Sequence, residues 1–332
     1  MKKTGGIKKL VLDYPAILFV LVTVILSVLF VPYFVSEYNI KNLCLQMCDL
    51  LIIACGLTFT ELNASTDFSC TSVLAVSSMT GAYIMAMSPL KSNPLLAVAV
   101  AILAMLLIGV LFGLINSFAI IKLKMPAFIA TMATMLIGSA FAYWFASRVN
   151  SGKTSIGGLP AVFVALGGSG KFFLVPIVIT AVMWFLADFI LTKTKLGRDI
   201  YAVGTNPTAA FISGVSVKKT IFWMFMLTAV FSSVESIILT ARSAAGMSGL
   251  GSTMFINIVS AVIIGGTSVS GGFGGVRQTL LGALFIVIIN NAMNLIGVEW
   301  YTIMLCQGLL ILAATVIDYF IKKSRMLGKG KT

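Results

Sequence analysis

Ten long apolar runs, separated by short polar segments, follow one another along the chain. A helix that spans a membrane needs about 20 apolar residues, with a range of roughly 17–25. The pattern therefore predicts an all-α fold: a polytopic membrane protein of about ten transmembrane helices, with residues 1–332 forming a single transmembrane domain. The predicted spans lie near 14–35, 44–62, 70–88, 94–121, 126–147, 172–191, 220–240, 256–269, 278–297 and 301–321.

The composition agrees with a chain whose solvent is lipid. Of the 332 residues, 59% are hydrophobic and 10% are charged, and the mean hydropathy is +1.07. A soluble domain carries roughly 25% charged residues, so this chain cannot cover a water-facing surface. It has no histidine, and its five cysteines lack Cys-x-x-Cys spacing. This argues against histidine catalysis, a zinc site and a disulfide framework.

Basic residues lie in short clusters between the spans, and their distribution predicts the orientation. Cytoplasmic loops of membrane proteins carry an excess of Lys and Arg. With the N-terminus in the cytoplasm, 17 Lys and Arg side chains lie inside and 6 lie outside. We therefore expect a multi-pass protein of the bacterial inner membrane with both termini cytoplasmic. The sequence has no basic stripe with interleaved aromatics, so the net charge of +13 does not indicate a nucleic-acid partner.

Two stretches of small and polar residues interrupt the apolar pattern, at 63–69 and 265–275. In the predicted topology, spans 2–5 and spans 7–10 form two four-span sets of opposite orientation, and each set holds one of these stretches. Inverted repeats with broken helices near the binding site are a recurring design of transporters. The pattern therefore predicts inverted four-helix repeats with broken helices.

One of the two longer loops, 192–219, lies inside in this topology and has a distinctive sequence. Residues 194–217 read TKLGRDIYAVGTNPTAAFISGVSV. This segment closely resembles the signature loop of bacterial sugar permeases of the ribose/galactose/xylose/autoinducer-2 importer family. The positions that match the family pattern are Gly197, Arg198, Gly204, Asn206, Pro207, Ala209, Ala210, Ser213 and Gly214. The resemblance implies that 192–219 is a cytoplasmic coupling loop that docks into a partner ATPase.

Local physical chemistry agrees with a short helix in this loop. Asn206 can cap a helix that starts at Pro207, a favoured first position, and Gly214 can end it. Small side chains at Ala209 and Ala210 would let this helix seat in a cleft of the ATPase. The competing interpretation is an ordinary polar loop with one turn of helix.

A second match covers the polar stretch after span 8. The family carries a Gly-Gly-Thr-Ser-apolar-x-Gly-Gly-x-Gly sequence there, and the glycines allow close helix approach and a broken helix. The residues of this match are Gly265, Gly266, Thr267, Ser268, Gly271, Gly272, Phe273 and Gly274. The sequence has no Gly-x-x-x-x-Gly-Lys-Ser/Thr loop. We therefore expect a non-catalytic subunit without a cofactor, with ATP and Mg²⁺ bound by a separate ATPase.

A third, partial match surrounds Asp67, Phe68 and Ser69, which we expect at the first broken helix or along the solute pathway. The family's glycines are replaced at 63–66, and Glu235 stands where a Gly is usual. Asp67 is an acid beside a predicted helix break, where it can anchor the break by hydrogen bonds or cap the next span. The departures from the family pattern leave the solute and the type of permease dimer open.

Asn290 and Asn294 on span 9 are candidates for solute contact. They are four residues apart and share one helix face, from which their amides could hydrogen-bond a hydroxyl-rich solute. Hydrogen bonds between helices inside the bundle are the competing interpretation. Phe68, Trp144 and Phe273 could stack on a sugar ring, or pack within the bundle or anchor at the membrane interface, as aromatic side chains in spans commonly do.

Together, these features predict the permease subunit of an ATP-binding-cassette importer that carries a sugar or sugar-like solute into the cell. Its expected partners are an ATPase subunit, a periplasmic or lipid-anchored solute-binding protein, and a second permease that is a copy or a paralogue. A secondary, ion-coupled transporter is one alternative, because Glu61, Asp67 and Glu235 could contribute to an ion site. The same importer role for a nucleoside or an amino acid is another.

Overall fold

The computed structural model describes residues 16–310, 312–313 and 316. The first predicted span, 14–35, is thus described from residue 16 onward, and the last, 301–321, is described without gaps up to residue 310. The predicted cytoplasmic placement of the two termini lies outside the described residues.

Ten apolar helices in this part of the chain correspond one to one with the ten predicted spans, and three further helices lie in loops. The helices are α1 (Ala16–Phe30), α2 (Glu37–Glu61), α3 (Cys70–Ala86), α4 (Pro94–Ile121), α5 (Ala127–Val149), α6 (Ala161–Val164), α7 (Leu174–Lys193), α8 (Lys195–Thr205), α9 (Pro207–Ile212), α10 (Val217–Ser243), α11 (Phe255–Gly265), α12 (Val276–Leu295) and α13 (Trp300–Leu310). Six of them, α2, α4, α5, α7, α10 and α12, are long and apolar enough to cross a membrane. The prediction of an all-α membrane protein is confirmed.

Helix α2 begins well before its predicted span, at Glu37 rather than at 44. The start is set by Ser36, whose hydroxyl accepts a hydrogen bond from the Asn39 amide (3.3 Å). The first turns are polar and carry an exposed ion pair between Glu37 and Lys41 (2.5 Å). Hydropathy marks where the apolar part of a helix begins, and this helix has a polar extension.

Helices α2 and α10 run antiparallel through the centre of the bundle. The Thr228 hydroxyl donates a hydrogen bond to the Gly56 carbonyl oxygen (2.7 Å). The rings of Phe59 and Phe231 meet edge to face, with centroids 5.7 Å apart. A Cβ on Gly56 would lie 2.7 Å from Phe231 Cβ, so the close approach of the two helices requires a glycine at this position.

The two four-helix sets are α2–α5 and α10–α13, and they exchange their first helices. Helix α2 of the first set packs against α11 and α12 of the second, whereas α10 of the second set packs against α3 and α4 of the first. Within each set, the second and third helices pack against each other. Helices α1 and α7 lie at the periphery, α1 against α12 and α7 against α2. This reciprocal packing around an antiparallel central pair is the arrangement that inverted repeats produce.

A small antiparallel sheet lies at one end of the bundle. Strand β1 (Ser155–Ile156) belongs to the loop 148–171 and pairs with β2 (Gly246–Met247). Because β2 follows the C-terminus of the 27-residue α10 and α9 precedes its N-terminus, the sheet and α9 lie at opposite ends of the bundle. At about 1.5 Å rise per residue, the two ends of α10 are roughly 40 Å apart.

Candidate functional site

The loop 192–219 forms two consecutive helices, α8 and α9, rather than one. The predicted limits of α9 are found: the Asn206 side chain accepts a hydrogen bond from the Ala209 amide (3.0 Å), Pro207 is the first residue, and Gly214 follows the helix with φ +84°. Helix α8 was not predicted. Its N-terminus is capped by the Thr194 hydroxyl, which accepts from the Gly197 amide (3.2 Å).

Helix α8 lies close against the membrane helices through its two glycines. A Cβ on Gly197 would lie 2.2 Å from the Leu191 carbonyl oxygen, and one on Gly204 would lie 1.9 Å from that of Leu62. Ile200 is fully buried on the same helix. No larger side chain fits at Gly197 or Gly204. These two residues of the signature pattern are therefore explained by packing within this chain.

Helix α9 presents apolar side chains away from the bundle. Ala210 is only 5% exposed and faces its own chain, and its contact with an ATPase stays a prediction. Its neighbours Phe211 and Ile212 are 71% and 80% exposed. Sequence reasoning missed these two residues, although a pair of large apolar side chains inside a polar loop is a detectable signal. Arg198, Ala209 and Ser213 are also exposed.

The first interrupted stretch, between α2 and α3, is held by a chain of buried hydrogen bonds. One carboxyl oxygen of the fully buried Asp67 accepts from the Ser69 amide (2.9 Å) and hydroxyl (2.6 Å). The Ser69 hydroxyl in turn accepts from the Asn116 side-chain amide (2.8 Å), whose oxygen accepts from the Thr134 hydroxyl (2.7 Å). Asn116 on α4 and Thr134 on α5 were not predicted; polar residues inside apolar runs are the signal that marks them.

The second interrupted stretch begins where α11 ends, with Gly266 in a left-handed conformation (φ +112°). Four of the following glycines also have φ between +74° and +154°. The Thr267 hydroxyl accepts a hydrogen bond from the Gly275 amide (3.2 Å), and the Ser268 amide donates to the Phe273 carbonyl (2.9 Å). The stretch is therefore a compact loop whose backbone conformation requires glycine.

The two interrupted stretches meet each other and α8. The Gly272 amide donates a hydrogen bond to the Leu62 carbonyl oxygen (2.8 Å). The Tyr201 hydroxyl of α8 donates to the Gly274 carbonyl oxygen (2.7 Å). Burial raises the pKa of Tyr201, so this hydroxyl keeps the proton that it donates. The sequence predicts each of the three segments by itself and does not predict that they meet.

Phe68 lies in an aromatic cluster. Its ring stacks on that of Phe255 at the start of α11, with centroids 4.5 Å apart, and meets Phe128 of α5 edge to face at 5.4 Å. Phe273 is 44% exposed and belongs to the second stretch. The structure thus brings Phe68 together with side chains from the other four-helix set and from α5.

The two asparagines predicted for solute contact are both engaged in hydrogen bonds. The Asn290 side chain donates to the Asn257 side chain (3.3 Å) and accepts from that of Gln307 (2.8 Å), which links α12 to α11 and α13. The exposed Asn294 donates to the Asn290 carbonyl oxygen (2.7 Å). Asn290 therefore ties helices together, and the Asn294 side chain remains exposed on the same face.

The buried acidic residues lie at different places in the bundle. Asp49 of α2 pairs with Arg242 of α10, whereas Glu61 ends α2 just before the first interrupted stretch and Asp67 lies within that stretch. Glu235 is fully buried in α10, and neither of its carboxyl oxygens has a hydrogen-bond partner among the described residues. Within this part of the chain, no group of three or more Cys, Asp and Glu side chains could hold a metal ion.

Comparisons with known proteins show which family the chain resembles. Residues 39–314 match a family model described as the permease component of the branched-chain amino acid transport system. The ribose import permease protein of Haemophilus influenzae is 35% identical over 298 residues, covering 89% of both chains. The L-arabinose transport system permease protein of Escherichia coli K12 is 33% identical over 308 residues, covering 90% of this chain and 87% of that protein.

A third relative is named for a different solute. The D-allose transport system permease protein of Escherichia coli K12 is 31% identical over 294 residues, covering 88% of this chain and 86% of that protein. No solved structure matches the chain significantly. The family model covers most of the chain, and several relatives exceed 30% identity over nearly their whole lengths. The chain is therefore a multi-pass membrane protein that belongs to the family of transport-system permease components.

Proposed function

We propose that this chain is the membrane-spanning permease subunit of an ATP-driven importer for a sugar or sugar-like solute. The relatives named above are permeases for ribose, L-arabinose and D-allose, which are hydroxyl-rich solutes of similar size. The observation that carries the proposal is α9: a short capped helix, outside the membrane spans, that presents exposed Phe211 and Ile212. An exposed apolar pair in an otherwise polar loop fits a protein partner.

The partner at α9 is a separate ATPase subunit. The chain has no phosphate-binding loop in its sequence, so ATP and Mg²⁺ belong to that subunit. ATP is a cytoplasmic substrate, and the excess of Lys and Arg in and around 192–219 supports a cytoplasmic position for this loop. The sheet of β1 and β2 then lies on the outer side, where a periplasmic or lipid-anchored binding protein delivers the solute.

Transport proceeds by alternating access between two permeases, which are copies or paralogues of each other. Closure of the ATPase subunits moves α9, and the movement opens one side of a pathway between the permeases while closing the other. The binding protein selects the solute, so the pathway needs no tight binding site. Phe68, Phe273 and Asn294, partly or largely exposed near helix breaks and ends, are available along such a pathway.

Alanine substitution of both exposed residues on α9 tests the proposal. Buried apolar anchors at protein interfaces contribute about 2 kcal/mol or more each, so Phe211→Ala with Ile212→Ala should reduce recovery of the ATPase with the affinity-tagged permease at least tenfold. Membrane abundance of the permease should not change, because both side chains point away from its own fold. The measurement is co-purification from membranes that contain both subunits.

The matched control is Val162→Ala, which shortens another exposed apolar side chain, at the opposite end of the bundle. It should leave ATPase recovery unchanged. Full recovery of the ATPase with the Phe211 and Ile212 double variant would show that α9 is not the docking element.

A further inference from the structure

Three backbone segments, far apart in sequence, meet at one place next to α9. We call this place the junction. It consists of residues 62–64, where α2 ends and the first interrupted stretch begins, residues 271–275 of the second stretch, and residues 201–205 at the end of α8. The Gly272 amide donates to the Leu62 carbonyl oxygen (2.8 Å), which joins the two stretches directly.

The end of α8 rests on both of these stretches at once. A Cβ on Gly204 would lie 1.9 Å from the Leu62 carbonyl oxygen and 2.9 Å from the Gly272 amide nitrogen. A Cβ on Gly272 would lie 2.7 Å from the Thr205 hydroxyl. At Gly204 the helix backbone therefore contacts the backbone of both other segments, and the contact leaves no room for a side chain.

Tyr201 adds a hydrogen bond to this packing. Its hydroxyl donates to the Gly274 carbonyl oxygen (2.7 Å). A Cβ on the next residue, Gly275, would lie 3.0 Å from the same hydroxyl. The second stretch is thus held to α8 by a hydrogen bond from a side chain that is itself half-buried.

Contacts between backbones transmit displacement well, because no rotatable side chain lies between the two parts to absorb it. Helix α9 follows α8 after the single residue Asn206, so a force on α9 acts on the end of α8. The first stretch connects α2 to α3, and the second connects α11 to α12. These helices belong to opposite four-helix sets, so the junction is a point where one movement reaches both sets.

We propose that the junction is the mechanical link between the ATPase-docking helix and the transmembrane bundle, with Tyr201 and Gly204 as positioning residues that keep both interrupted stretches attached to α8. The inference rests on the proposed function for its transport role. The structural part, that Tyr201 and Gly204 hold the second stretch on α8, stands on the contacts alone.

The first test uses the complete complex of permeases, ATPase and binding protein in liposomes. Tyr201→Phe removes one hydroxyl and leaves the ring. It should leave ATPase assembly intact and lower the amount of solute transported per ATP hydrolysed by about two- to tenfold, the range expected for one lost hydrogen bond. Tyr38→Phe is the matched control, since the Tyr38 side chain is 84% exposed in α2; its transport ratio should equal that of the wild type.

The second test uses the purified permease and measures amide hydrogen exchange. Tyr201→Phe should raise the exchange of residues 268–275 by about two- to tenfold. Gly204→Ala should raise it further, because its Cβ must displace the Leu62 carbonyl or the Gly272 amide. Exchange in the central part of α4 should not change in either variant.

The two tests separate the failure of this inference from the failure of the proposed function. If the wild-type chain never assembles with an ATPase, the proposed function is wrong, and the transport role of the junction is wrong with it. The exchange measurement would still decide whether the junction holds the two interrupted stretches on α8. Unchanged exchange in both variants would overturn the structural part. Raised exchange together with an unchanged transport ratio would overturn the mechanical role.

Discussion

Helices α8 and α9 are neighbours in sequence but differ in how closely they pack against the rest of the chain. Helix α8 presses Gly197 and Gly204 against the backbone of the bundle, whereas α9 leaves Phe211 and Ile212 exposed. One helix is part of the chain's own core, and the other exposes an apolar surface. The signature pattern of this loop therefore contains two kinds of residue. Some pack within the chain's own fold, others are exposed on its surface, and the exposed fraction of each residue distinguishes the two kinds.

The largest effect should come from filling the α8 contact. Gly197→Val places a branched side chain where a Cβ would already lie 2.2 Å from the Leu191 carbonyl oxygen. We expect the free energy of unfolding to fall by about 3 kcal/mol, measured as a lower thermal unfolding midpoint of the purified chain. Gly157→Val, at a glycine with open space around it, is the control. An unfolding midpoint for Gly197→Val equal to that of the wild type would mean that α8 is not packed as described.

An intermediate effect should separate two adjacent alanines of α9. Ala210 is buried against its own chain and Ala209 is exposed. Ala210→Arg should therefore lower the free energy of unfolding by about 2 kcal/mol, whereas Ala209→Arg should change it by less than about 0.5 kcal/mol. Ala209→Arg should instead reduce recovery of the ATPase. Equal losses of stability in the two variants would remove the distinction between the inner and outer faces of α9.

The smallest effect should come from the residue that joins the two helices. Asn206→Ala removes the side-chain cap on the Ala209 amide, which should destabilise α9 by about 1 kcal/mol. Asn206→Asp keeps an accepting oxygen and should retain the protection. The measurement is hydrogen exchange of residues 207–212. If Asn206→Ala and Asn206→Asp exchange at the same rate, the cap does not order α9.

The sequence was sufficient for features that depend on neighbouring residues. All ten apolar helices were predicted from hydropathy. The limits of α4 were exact, because its apolar run begins at Pro94 after the cap Asn93 and ends at Ile121 before Lys122. The Asn206 cap of α9 was predicted for the same reason. Each of these features is set by residues within a few positions of one another.

The sequence was insufficient where distant segments decide the structure. Helix α8 contains Gly197 and Gly204, which lower intrinsic helix propensity, and the reason for Gly204 lies at Leu62, far away in sequence. The hydrogen bonds that tie Asn290 to α11 and α13 could not be distinguished from solute contact without the packing. Patterns within one segment do not contain this information.

The exchange of first helices between the two sets has a consequence for how the protein is made. Phe255, where α11 begins, follows Glu61, the last residue of α2, by 194 residues. At about 5–20 residues per second of synthesis, α2 waits on the order of 10–40 s in the membrane before its partners α11 and α12 leave the ribosome. During that time the Asn39 side chain, which is buried in the folded protein, lacks its hydrogen-bond partner Asn291 of α12. Until α12 is made, the Asn39 amide can be satisfied only by groups outside its final partner helix, such as water or lipid headgroups.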